Sequence, residues 1–150
     1  MIKYRWNKKF QEIIEFQEIR FQEMELPVSL KYFLDKGIVQ KDGCFYFKDF
    51  ATNYSEEFYD KTGNECFNNK FYIDSFTESL EIKEDIQIGI TFVKMVAKSL
   101  ESYNISFCVI LDYHDESIDI RFHKIRKNET WLMDNIDDYE NEGLFLAYIN

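Results

Sequence analysis

The sequence predicts an α+β fold: an antiparallel sheet, built from a C-terminal meander plus an N-terminal hairpin, packed against a long central helix and N-terminal helices. Three observations carry that expectation. Apolar residues recur at helical spacing over residues 82–103, strand-like runs gather in the last third at 105–112, 117–125 and 144–149, and a Lys41-Asp42-Gly43 turn lies between two early apolar runs. Strands that follow helices, rather than alternating with them, favour antiparallel pairing over a doubly wound parallel sheet. With five Gly and one Pro in 150 residues there is no linker to divide the chain, so one domain over 1–150 is expected.

Residues 6–25 are rich in Glu, Gln, Arg and Lys with interspersed Phe and Ile, which favours a helix. At 100° per residue Trp6, Phe10, Ile13, Ile14, Phe21 and Met24 share one face. Phe16, Ile19 and Leu26 fall opposite, so either both sides are covered or the helix breaks midway. The echo of IEFQE in IRFQE fits neither a helical nor a strand period and carries no structural reading. Pro27 ends the segment, Ser29 is placed to cap a short helix through Lys36, and Gly37 stops it. Ile38-Val39-Gln40 and Cys44-Phe45-Tyr46-Phe47 flank the Asp-Gly turn as a hairpin.

Residues 48–70 are polar, aromatic and aperiodic, the pattern of a long loop with a short helical turn near Glu56. Phe71-Tyr72-Ile73 has the composition of a short strand. The clearest helical pattern follows: Ile82, Ile86, Ile90, Val93, Val96, Ala97 and Leu100 form one stripe, and Ile88, Phe92 and Met95 a second patch. Such a helix is central or lies at an interface, which permits a homodimer. Asp112-Tyr113-His114-Asp115-Glu116 joins the runs at 105–112 and 117–125, where Ile118, Ile120 and Phe122 alternate as in a strand.

Composition narrows the class of function. Hydrophobic residues make up 45% of the chain and aromatics 18%, enough to build a core and to argue against disorder. A formal charge of −10 repels phosphate backbones and anionic bilayers, which argues against a nucleic-acid reader or a membrane binder, and it speeds encounter with a basic partner. Cys44, Cys66 and Cys108 are odd in number and lack CxxC spacing, the usage of free thiols in a reducing compartment. With no apolar stretch of membrane-spanning length, a cytoplasmic location is expected.

Catalysis at neutral pH commonly recruits His, and the chain has two. His123 alternates with Phe122 on a strand and is expected to be structural. A Cys108–His123 dyad across neighbouring strands is conceivable, yet Cys108 lies in an apolar strand where a thiol is inert. His114 stands beside Asp112, Asp115 and Glu116, where it could join carboxylates around a divalent metal. The plainer expectation is a solvated hairpin tip, so no metal, no cofactor and no catalytic residue are expected. The five glycines form no phosphate-binding loop, and 134–138 lacks the spacing of a calcium loop.

Five acids fall between residues 134 and 142 with no basic residue among them: Asp134, Asp137, Asp138, Glu140 and Glu142, beside Trp131 and Tyr139. An aromatic anchor ringed by carboxylates suits a basic protein surface. These seven residues, with Asp112, Asp115 and Glu116 of the turn, are the expected partner-binding set, although a solvated loop would look the same.

The stretch 121–140, RFHKIRKNETWLMDNIDDYE, resembles a C-terminal signature, approximately FHxxRxxExWL…(D/N)LxxY, of small bacterial immunity proteins that neutralise the toxin domains of polymorphic and contact-dependent growth-inhibition systems. The resemblance covers about the last quarter of the chain. It implies a non-enzymatic inhibitor of a cognate toxin, with Phe122, Trp131, Leu132 and Tyr139 mainly structural and the toxin contacts variable among members. The expectation is an immunity protein that binds a basic, nuclease-type toxin domain and blocks its active site or substrate cleft. The competing expectations are an acidic nucleic-acid mimic, such as a phage anti-defence protein, and a small enzyme using His114.

Overall fold

Ile2, Tyr4 and Trp6 alternate with Lys3 and Arg5, and this run forms a strand, β1 (Ile2–Trp6), which takes in Trp6 from the start of the helix expected over 6–25. Asn7 caps α1 (Lys8–Phe16) by accepting from the Phe10 N–H at 2.9 Å. The helix then breaks: Gln17 is its C-cap and Glu18 turns left-handed at φ 52°. Of the two readings of 6–25 the midway break is therefore the right one, and Ile19 and Leu26 are buried from the irregular stretch beyond it.

The computed structural model describes residues 1–51, 60–77 and 81–150. After α1 come α2 (Val28–Asp35), β2 (Ile38–Lys41), β3 (Cys44–Phe47), α3 (Lys61–Asn68), β4 (Phe71–Tyr72), α4 (Ile82–Leu100), β5 (Phe107–His114), β6 (Ser117–Lys124) and β7 (Gly143–Ile149). The fold class is α+β as the sequence indicated. Asp42 and Gly43 adopt φ of 53° and 78°, a two-residue turn whose twist suits the β2–β3 hairpin. α2 begins after Pro27 with no side-chain cap from Ser29. α3 occupies part of the span read as a loop, and the turn expected near Glu56 lies outside the described residues.

The larger sheet runs β1-β7-β5-β6-β4, every pair antiparallel, with β2–β3 as a separate two-stranded sheet. The last three strands are not a sequential meander, because β7 returns beside β5. β6 ends where Lys124 faces Phe107, and β7 starts where Gly143 faces Tyr113, at the far end of β5. The connection, residues 125–142, must travel the length of β5.

One face of the sheet receives α4. Ile86, Ile90, Val93, Val96, Ala97 and Leu100 are buried with Val109, Leu111, Ile118, Ile120, Phe122 and Phe145, which makes α4 the central helix. Ile88 and Phe92 are buried as well, while Met95 of the second patch is exposed. A Cβ at Gly89 would stand 2.9 Å from a Leu111 methyl, so glycine lets the helix lie this close. Phe33, Phe47, Phe71 and Phe92 join α2, the hairpin, β4 and α4 in one aromatic cluster, with ring centroids 5.0–6.4 Å apart. The three cysteines are buried free thiols, and no helix among the described residues is long and apolar enough to cross a membrane.

Two polar side chains tie the hairpin to the larger sheet. Glu65 on α3 and Asn69, the C-cap one turn later, are wholly buried. The Glu65 carboxylate accepts from the N–H groups of Phe45 at 2.7 Å and Lys124 at 3.0 Å, and pairs with the Arg126 guanidinium. Asn69 accepts from Phe47 N–H at 3.0 Å and donates to the carbonyls of Phe45 and Phe122 at 2.8 and 3.3 Å. Backbone groups of β3 and β6 that face no strand at these positions are thereby satisfied by side chains, as buried backbone requires. Removing one partner of a buried ion pair leaves an uncompensated charge. Glu65→Ala is therefore expected to cost about 3 kcal/mol or more, read from the denaturant midpoint at constant m; a loss below about 1 kcal/mol would refute this role for Glu65.

Candidate functional site

Strand alternation sends Cys108, Ile110, Asp112 and His114 of β5 to the face away from α4. The register brings β6 residues opposite them: Cys108 faces His123, Ile110 faces Arg121, and Asp112 faces Asp119. Residues 125–142 cover the apolar half of this face, where Ile136 is buried on Cys108, Ile110, Leu144 and Leu146 with Leu132 and Tyr139 beside it. The polar half stays open as a cleft of about 350 Å³ lined by Lys70, Asp112, His114, Asp119, Arg121, Trp131, Tyr139 and Glu142. Its volume is at the small end for ligand clefts.

Asn7 fixes the cover over the cleft. Its buried carboxamide donates to the carbonyls of Ile136 at 3.2 Å and Glu142 at 2.8 Å and accepts from the N–H groups of Phe10 and Leu144, both at 2.9 Å. The Asp137 carboxylate accepts from the Lys8 N–H at 2.8 Å, at the N-terminus of α1 where a negative charge is favoured. Farther along, the Tyr139 hydroxyl accepts from the Met133 N–H at 3.1 Å.

Three carboxyl groups, Asp112, Asp119 and Glu142, share the cleft with Lys70, Arg121 and His114. Asp112 and Asp119 stand directly opposite on neighbouring strands, an arrangement that like charges disfavour. Arg121 reaches Asp119 Oδ1 at 3.3 Å, and its guanidinium lies 5.1 Å from the centre of the Trp131 ring. Burial, a hydrogen bond with Glu142 and the charges of Asp119 and Glu142 push the Asp112 carboxyl up to about 9, so it holds a proton at neutral pH. Burial also raises Asp119, against the pull of Arg121 and Lys70. Asp112 Oδ1, His114 Nδ1 and Asp119 Oδ2 are buried with no hydrogen-bond partner among the described residues. His114 Nδ1 lies 3.4 Å from Asp112 Oδ1 without hydrogen-bond geometry. Such a hollow suits a cation.

The two segments singled out in the sequence, the Asp112 region and the run from Trp131 to Glu142, meet here. Asp112, Trp131, Tyr139 and Glu142 line the cleft. Asp112 and His114 belong to β5 rather than to the turn, because the strand continues two residues past the expected boundary and shrinks the tip to Asp115 and Glu116, at φ of 49° and 60°. His114 is therefore a half-buried cleft residue and not a solvated tip. Asp115 and Glu116 are exposed outside the cleft, Glu116 beside Tyr113, Ile13 and Phe16. Asp134, Asp138 and Glu140 are exposed on the cover, while Asp137 is engaged with α1.

Asp119, Arg121 and Lys70 were missed by sequence reasoning. The first two are the polar partners of Ile118, Ile120 and Phe122 in the alternation of β6, a signal of the open face but not of what it faces. Cys108 and His123 are cross-strand neighbours as supposed, yet burial pushes the thiol up to about 12 and the imidazole down. The remaining signature residues hold the fold: Arg126 pairs with Glu65, and Glu129 accepts from the Thr62 N–H at 3.0 Å, in the first turn of α3.

A family model described as the Uncharacterized protein PM0498 family matches residues 5–148. No curated protein and no solved structure matches the chain.

The protonated Asp112 makes stability depend on pH. Between its ordinary value of 3.8 and about 9, the folded chain holds a proton that the unfolded chain has released, so this group makes stability fall as pH rises through that window. In Asp112→Asn an amide takes over donation to Glu142 and the slope disappears. Relative to the parent chain, the variant is expected to gain at least about 1 kcal/mol more at pH 8 than at pH 5, measured by urea unfolding in chelator-treated buffer. An equal effect at both pH values would show that Asp112 is ionised in the fold.

Proposed function

The chain belongs to the Uncharacterized protein PM0498 family, and we propose that it is an immunity protein, not an enzyme, which binds a cognate bacterial toxin domain of basic, nuclease type. It would act in the cytoplasm by blocking the toxin's active site or substrate cleft. One observation carries the reading: Trp131 and Tyr139 line a cleft together with Asp112, Asp119 and Glu142, on a segment whose Asp134, Asp138 and Glu140 are exposed. A partly exposed indole offers area that a partner can desolvate, and the surrounding acids pair with Lys and Arg. The charge of −10 steers a basic partner toward it. The resemblance of 121–140 to the immunity-protein signature supports the same reading; Arg126 and Glu129 of that stretch are engaged in the fold, while Asp134, Asp138 and Glu140 face solvent.

A second reading, a small enzyme using His114, is favoured by the position of that imidazole in the cleft 3.4 Å from a carboxyl held protonated. His114→Ala separates the two, since a binding protein keeps its protective effect in cells and an enzyme loses it.

The direct test mixes the purified chain with the toxin domain encoded immediately upstream. A dissociation constant of nanomolar or tighter is expected, weakening at least about tenfold as NaCl rises from about 0.05 to about 0.5 M. Trp131→Ala is expected to weaken it by about 2 kcal/mol, roughly thirtyfold. Failure both to bind that product and to protect cells from it would overturn the proposal.

A further inference from the structure

Asp119 is only 1% exposed, yet one of its oxygens, Oδ2, has no hydrogen-bond partner among the described residues. An ionised oxygen in that state is costly unless a cation meets it. Arg121 does not, because it is taken up by Oδ1 and the Trp131 ring. The same hollow holds two more atoms in the same condition, Asp112 Oδ1 and His114 Nδ1. All three residues are fixed by strand geometry, Asp112 and His114 two apart on β5 and Asp119 directly across from Asp112. Three buried polar atoms grouped in one hollow, none with a hydrogen-bond partner among the described residues, are what a folded core otherwise avoids and what a bound cation would satisfy.

We propose that Asp112, His114 and Asp119 form a binding site for a first-row divalent cation of the zinc class. One donor atom from each lies within 4.8 Å of the others. Donors at zinc-ligand distances around a tetrahedral ion are roughly 3.3–3.6 Å apart. His114 Nδ1 and Asp112 Oδ1 already meet that spacing at 3.4 Å, and a shift of about 1 Å, within the reach of a carboxylate turning about its last bond, brings in Asp119. The mixed imidazole and carboxylate set favours zinc, manganese or iron over magnesium and calcium, which take oxygen alone. Part of an outer layer is also in place: Arg121 holds the far oxygen of Asp119, as ligating carboxylates commonly require. Trp131, Leu132 and Tyr139 shield the site. The proposal goes beyond the binding reading and does not rest on it, since a cation on the floor of the cleft leaves the exposed acids of the cover free.

The test is calorimetric titration of the untagged, chelator-treated full chain with Zn²⁺, repeated with Co²⁺ under visible spectroscopy. One equivalent should bind with micromolar or tighter affinity, and the Co²⁺ spectrum should lack a thiolate charge-transfer band, which excludes the cysteines as ligands. His114→Ala and Asp119→Asn should each weaken binding at least about tenfold, as even outer-layer changes do at metal sites. Glu116→Gln, at the turn outside the cleft, should bind as the parent does. Zn²⁺ should raise the unfolding temperature of the parent chain and leave that of His114→Ala unmoved, a readout that holds even where Asp119→Asn fails to fold. No saturable binding, binding unchanged in His114→Ala, or a thiolate band would each overturn the proposal.

Discussion

The carboxamide of Asn7 is the hinge of the arrangement. It meets α1, β7 and the connection across the sheet, each with a hydrogen bond. A carboxamide has two donors and a two-lone-pair acceptor, and buried between three elements almost all of that capacity is used. An aspartate there could cap α1 but not donate to the Ile136 and Glu142 carbonyls, and an apolar residue could do neither. Glu142 lies in the cleft and Ile136 anchors the cover, so the shape of the open hollow is set by a side chain that does not line it.

The sheet has two faces made by different chemistry. Toward α4 the buried core positions are aliphatic or aromatic, and close packing specifies the contact. On the other face the apolar half is roofed by Ile136 and its neighbours, while the polar half carries a concentration of acids that packing does not explain. A cross-strand pair of aspartates, one of them sealed from solvent, works against stability. Sequences retain such a conflict where it serves a site, and its position beside the connection that crosses this face is consistent with that.

Much of the fold could be read from residues alone, for reasons of period. α4, the β2–β3 hairpin, β5, β6 and β7 carry strong local patterns, and each was expected within a few residues of where it lies. β1 carries a signal in the alternation of Ile2, Tyr4 and Trp6 with charged residues, but it is short, and the Glu- and Lys-rich composition just downstream drew Trp6 into the expected helix. α3 carried little signal: KTGNECFN has a central glycine and two asparagines, and what defines the helix is the burial of Glu65 and hydrogen bonding by the following Asn69 against distant strands. The site was half visible. Asp112, Trp131, Tyr139 and Glu142 stood out by composition, whereas Asp119 and Arg121 become site residues only through the β5–β6 register and the route of the β6–β7 connection.

The placement of β7 has a consequence for how the chain reaches this state. β1 pairs with β7 alone, joining Ile2 to Ile149 across nearly the full sequence, and β7 lies between β1 and β5. On a ribosome the first strand therefore has no partner until the seventh has emerged, and α1 and the cover, which Asn7 fastens together, must wait with it. Closing so long a loop is the slow kind of folding step. The α4–β5–β6 unit can collapse early with its second face bare, and the acidic cleft comes into being last, in a single stroke, when β7 slots between its two neighbours.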